Sequence, residues 1–363
     1  MSLSVDSPST AALVETIIST LSMLRQFLVA PSTTDAAVDS PHLTDSPEPL
    51  DVLHTCGILL KAQTTKLSLL LIHKPIAPSA IKNVVNEVAS TCIPAMMSAV
   101  EICTPAAFGE VLHVEVVSVV KRVFRDLDAM MEETLAQTVT AAENADGVSA
   151  RDCSGRDQLS STGVVWEACN ALMELKEIGL VGLVVKKAQQ HRALLEDALH
   201  ELREWAQDEE TEEEWEGFDF GSGSNNGGTM EDMFEVTNKL PRDRADIKAT
   251  LKVAFSKLKL VSTLYRALVK RRLETFSNSA TVVPQSSLGT LHSLMGFLKQ
   301  IPELADELAG VLYELDNDEA RHLLQQICSL GKDVVKLTTL SWDGREDEYT
   351  TWSAKWIEAI DSP

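Results

Sequence analysis

Apolar residues recurring every three or four positions run through nearly all of this 363-residue chain, and they constrain its fold more than any other feature. From Ala11 to Val29 the repeat is Leu13, Ile17, Leu21, Leu24 and Leu28, and it stops at Pro31. The same period returns over Leu50–His73, Ser79–Cys103, Pro105–Glu143 and Asp157–Gln207. It returns again over 243–277, 284–300, 301–315, 318–340 and 345–360. Prolines punctuate it. Pro94 predicts a kink or boundary, because its ring removes a donor and crowds the preceding turn. Pro105 suits the first turn of a helix, where the missing N–H costs little. The Val-rich run from Val111 to Val120 can mimic a strand, but the charged spacing of Glu110, Glu115, Lys121, Arg122 and Arg125 favours helix. Gly179 and Gly182 mark an interruption in the fifth helix. Beyond it, Val181, Ala188, Leu195 and Leu202 form a seven-residue seam with Val184, His191, Ala198 and Trp205, suited to antiparallel bundle packing.

Composition agrees with an all-α chain. Hydrophobic residues make up 44%, enough for a core, while aromatics are 5% and Gly (17) and Pro (13) are scarce for a sandwich or barrel. The clearest division is at Glu201–Phe220, where ten acids face one Arg, followed by GSGSNNGG at Gly221–Gly228. The expected organisation is a helix and Pro/Ser-rich linker over 1–49, with the helix at 11–29 able to join the first bundle. That bundle covers 50–207, an acidic Gly-rich hinge 208–240, and a second antiparallel bundle 241–363.

The formal net charge of −22 repels phosphate backbones, so direct DNA binding is not expected. No apolar run reaches the roughly 20 residues needed to span a bilayer. The Lys- and Arg-free start, Met1–Thr10, does not read as a secretory signal, so the expected location is inside the cell. Cys56, Cys92, Cys103, Cys153, Cys169 and Cys328 contain no C-x-x-C pair and read as reduced, mostly buried thiols.

No local pattern carries chemistry. Gly221–Gly228 lacks the Lys and the preceding strand of a phosphate loop. The eight histidines form no metal-ligand pair, and no nucleophile elbow is present. No catalytic residue, metal or cofactor is expected. Four Ser-Pro steps, at Ser7, Ser40, Ser46 and Ser362, are candidate phosphoacceptors. The candidate partner-binding face lies on the helix after the hinge. Pro241–Arg272 holds ten basic residues against Asp243 and Asp246, and Lys248, Lys252, Lys259, Arg266 and Lys270 share a face opposite the apolar stripe. An acidic partner, the chain's own acidic run or, less favourably, anionic lipid would complement it.

Two segments carry a resemblance. KAQTTKLSLLL (Lys61–Leu71) and STGVVWEACN, with its core Thr162, Gly163, Val165, Trp166 and Cys169, resemble the cyclin-D-interacting (GCIP) family. The resemblance covers Leu50 to about Leu340. It implies a five-helix bundle similar to those of vinculin and α-catenin. It also implies a noncatalytic protein of nucleus and cytoplasm that binds D-type cyclins and helix-loop-helix factors and restrains the cell cycle. Packing chemistry places Gly163, Trp166 and Cys169 in the core, with Gly163 permitting close helix approach and a partner contact the alternative role for Trp166. Leu67, Leu70 and Leu71 join them, and Lys61 and Lys66 are solvated. A vinculin-like cytoskeletal or membrane-associated scaffold, and a helical enzyme assembled only in space, are the alternatives.

Overall fold

A computed structural model describes residues 8–29, 48–73, 76–143, 154–206, 240, 244–276 and 285–362. These residues are helical with short connections, and no strand occurs among them. The chain divides into two compact units, Met1–Leu183 and Val184–Pro363. The division falls within a long helix, ahead of the acidic Gly-rich segment 208–239, which lies outside the described residues.

The described part of the first unit forms five helical rods. α1 (Pro8–Val29) and α2 (Pro49–Ile72) each open on a proline, and α3 (Pro78–Glu87) does likewise. α3 continues through a π-helical turn, Val88–Cys92, into α4 (Ile93–Ile102). The kink expected at Pro94 takes this form. Pro94 has no N–H for the carbonyl four residues back, and the widened turn lets the Ile93 N–H reach Val88 instead.

The single helix expected over 105–143 is two. The Thr104 side chain caps α5 (Pro105–Phe108), and Gly109, at φ 84°, breaks the rod before α6 (Glu110–Glu143). The Val-rich run is helical: Val116, Val119, Val120, Val123, Phe124 and Leu127 form one buried face. α7 (Ser154–Ala206) is broken at Gly179, whose φ of 58° and ψ of −166° lie where only glycine is at ease. Residues 154–178 run antiparallel to α2 and α6, as the pairs Asp51–Lys176, Lys61–Asn170 and Ser68–Thr162 show on one side and Arg122–Glu167 and Ser161–Glu133 on the other.

The second unit comprises residues 184–206, α8 (Ala245–Leu268) with a π-helical turn at Val269–Leu273, α9 (Gln285–Tyr313), α10 (Asn317–Thr338) and α11 (Glu348–Asp361). Val184, Ala188, Leu195, Ala198 and Leu202 of the seven-residue seam are buried. The two helices expected over 284–300 and 301–315 are one, α9, which continues through Pro302. Pro302 leaves the Leu298 carbonyl without its helical donor, and the buried Tyr265 hydroxyl, 2.5 Å away, donates to it. A side chain from α8 thus satisfies the group whose loss ordinarily ends a helix.

Two of the ten basic residues of Pro241–Arg272 point inward. The Lys257 ammonium donates to the carbonyls of Ile360 (2.8 Å) and Ser362, capping the C-terminus of α11, where helix polarity favours a cation. Arg272, 1% exposed, donates through all five N–H groups: to the carbonyls of Thr338, Thr339 and Arg271, and twice to the Asp347 carboxylate. Its guanidinium also stacks 4.3 Å from the Tyr349 ring centre. Asp347 is in turn the N-cap of α11.

Candidate functional site

The two sequence motifs meet face to face in the first unit. The Ser68 and Thr162 hydroxyls are hydrogen-bonded in the interior, and the Lys61 ammonium donates to Asn170 Oδ1 at 2.8 Å. The same ammonium stands 5.7 Å from the Trp166 ring centre. Arg122 of α6 pairs with Glu167 at 2.7 Å. Nearby, Asp126 keeps a buried carboxylate oxygen without a hydrogen-bond donor, and burial raises its pKa despite Arg122 and Arg125.

The motif core divides differently from the expectation. Cys169 is fully buried together with Thr162, Val165, Ala168 and Leu172, and burial pushes its thiol pKa up to about 12, so it stays protonated and unreactive. Trp166 is 38% exposed, and Gly163 is exposed with open space where a Cβ would stand. The helical period explains both positions. The inner arc is filled by residues 162, 165, 168, 169 and 172, which turns 163 and 166 outward, so Gly163 serves no close helix approach. Lys61 is half-buried rather than solvated, held by Asn170 and Trp166. Leu67 and Leu71 are buried, Leu70 is half-buried and Lys66 is exposed.

Beside Trp166 runs the outer face of α2. From Val52 to Ile72 this helix has no acid, in a chain of net charge −22. Its inner arc buries Leu53, Leu60, Leu67 and Leu71. Its outer arc exposes Ile58 (50%), Leu59, Ala62, Lys66, Leu69 (52%) and Ile72. A helix apolar all round is normally enclosed on every side. Here one side faces solvent, making an apolar surface edged by lysine and tryptophan. Sequence reasoning missed it because the period marks apolar positions without saying which will find neighbours.

In the second unit, Lys248, Lys252, Arg266 and Lys270 of the expected basic face are exposed. Lys259 is half-buried, and burial with Arg203 nearby lowers its pKa. The five form one row along α8, whose opposite side buries Ile247, Leu251, Leu258, Val261, Leu264 and Leu268.

Among the described residues, two concavities have room for a small molecule. A cleft of about 1080 Å³ lies between α1 and α6, lined by Ile18, Leu21, Val29, Leu135 and Val139, with Arg25 bound to Asp128 and Glu132 at its wall. Its single cation is already paired and it has no nucleophile–base pair. A smaller hollow of about 260 Å³ beside Arg272 is lined by Ser286, Ser287, Ser341 and Trp342. It resembles an anion pocket, but every Arg272 donor is already spent within the protein. Among the described residues, no three His, Cys, Asp or Glu side chains gather at metal-binding range. Ser7, Ser40, Ser46 and Gly221–Gly228 lie outside the described residues.

Residues 52–208 match the family model described as Grap2 and cyclin-D-interacting, N-terminal. An uncharacterized protein of Schizosaccharomyces pombe is 24% identical over 310 residues, covering 85% of this chain and 83% of its own length. An uncharacterized protein of Saccharomyces cerevisiae is 22% identical over 213 residues, covering 56% of this chain and 58% of its own. No solved structure matches the chain.

Proposed function

Through residues 52–208 the chain belongs to the Grap2 and cyclin-D-interacting family, and from that premise we propose that it is a noncatalytic regulator acting by binding other proteins. The finer reading follows the family's name and the sequence resemblance: its partners are cyclins and helix-loop-helix factors, its effect is to restrain the cell cycle, and it works in nucleus and cytoplasm. The observation that supports this reading is the outer face of α2 with Trp166 beside it. Exposed Ile58, Leu59, Leu69 and Ile72 form an apolar surface on the acid-free stretch Val52–Ile72, and a part-exposed Trp is among the residue types most often central to an interface. Truncating such an anchor typically costs a complex at least 2 kcal/mol, about thirtyfold in affinity.

The test is direct binding between the purified full chain and purified cyclins and helix-loop-helix proteins of its own organism. The expected result is a complex that Trp166→Ala or Leu69→Glu weakens at least about tenfold with the helical spectrum unchanged. Neither class binding the intact chain would overturn the partner assignment. Binding indifferent to both substitutions would overturn the surface.

A further inference from the structure

We propose that the outer face of α8 is a docking track for an acidic helical segment of a partner protein. Lys248, Lys252, Arg266 and Lys270 are exposed, and among the described residues none has a carboxylate within ion-pair range. Several cations elsewhere are paired: Arg25 with Asp128, Arg122 with Glu167, Arg271 with Glu348 and Lys332 with Asp361. Four unpaired cations in one row stand out in a chain of net charge −22.

The row has helical register. Ala249, Lys252, Ser256, Lys259, Thr263, Arg266 and Lys270 follow one another at alternating steps of three and four, the spacing along which a second helix lies against a first. Small Ala249, Ser256 and Thr263 alternate with the cations, so a partner backbone can approach while its acids reach the ammonium and guanidinium groups on either side. Lys248 to Lys270 covers roughly 33 Å at 1.5 Å per residue, about six turns of a partner helix. Lys259, half-buried with Arg203 close by, adds a further cation to the row.

The same features disfavour broader polyanions. Bilayer binding by an amphipathic helix needs an apolar side to insert. The apolar side of α8 is already buried in its own unit, and Val253 is its single large hydrophobic residue counted as exposed. No Trp, Tyr or His lies in the row to stack on a nucleic acid base, and the net charge opposes any extended phosphate surface.

The probe is a fluorescent helical peptide with Glu at heptad spacing, titrated into the full-length protein. Binding is expected to weaken about tenfold as salt rises from about 0.05 to 0.3 M. It should fall at least about tenfold when Lys248, Lys252, Arg266 and Lys270 are all replaced by Gln. The melting temperature reports that this variant still folds, and the single changes Lys252→Gln and Arg266→Gln provide a milder series. Equal binding by the quadruple variant, or by a peptide of the same composition with its Glu positions scrambled, would overturn the track. So would co-sedimentation with vesicles of phosphatidylcholine and phosphatidylserine when the peptide fails to bind. Peptide binding that emerges only when 208–220 is deleted would reassign the face to the chain's own acidic run.

Discussion

Arg272 shows at the residue scale how a basic side chain becomes structural. Five donors are fixed by three carbonyls and both oxygens of Asp347, so the guanidinium joins the end of α10 to the start of α11. The hydrogen bonds from Arg272 hold the Asp347 carboxyl far below the usual carboxylate range. A carboxylate with a depressed folded pKa contributes stability above its unfolded pKa, near 4, and loses it as pH falls toward the folded value. Asp347→Asn is therefore expected to destabilise the second unit at pH 7 by about 2 kcal/mol. That is below the roughly 3–5 kcal/mol of a fully buried broken pair, because Asp347 is itself 38% exposed. Urea midpoints for wild type and variant should converge as pH drops below about 4. A gap that persists or widens in acid would contradict this assignment.

At the scale of elements, α9 illustrates how a proline can be carried inside a helix. The sequence places a helix end at Gln300–Ile301, and the isolated peptide has every reason to stop there. The continuation depends on Tyr265 of α8, distant in sequence from Pro302, presenting its hydroxyl to the Leu298 carbonyl. Tyr265→Phe would leave that carbonyl buried without a donor, a loss of about 1–3 kcal/mol. In a Pro302→Ala background the backbone N–H restored by the substitution takes over, so the same Tyr265→Phe change should cost about 1 kcal/mol less. A double-mutant cycle by chemical denaturation measures the coupling, and strict additivity would refute the account. The motif helix shows the complementary case. Thr162, Val165, Cys169 and Leu172 form the buried arc, while Trp166 faces outward although its size argues for the core. Side-chain volume is a poor guide where a neighbouring cation, here Lys61, gives an aromatic ring a surface partner.

For the whole chain the governing quantity is charge. With 54 acids against 32 basic residues, self-repulsion works against the folded state at neutral pH. Screening should relieve it, so the melting temperature is expected to rise between low salt and about 0.3 M salt, and a fall would mean that local ion pairs outweigh the net field. The same excess makes the acid-free stretch of α2 from Val52 to Ile72 and the row of cations on α8 exceptional, since both lie where the surrounding composition would predict carboxylates.

The sequence by itself determined that this chain is helical, because a period of three to four apolar residues sustained over hundreds of positions has no other way to bury its side chains. It also located the prolines and glycines where the rods would bend, at Pro94 and Gly179, and the face on which the cations of α8 would gather. Only the tertiary structure decided which bends end a helix and which are bridged, which lysines and arginines turn inward, and which apolar arc of α2 is exposed among the described residues. Those outcomes depend on groups far apart in the chain, such as Tyr265 with Leu298, Lys257 with Ile360 and Arg272 with Asp347. A local pattern records the periodicity of one segment but not the donors and surfaces that other segments bring to it.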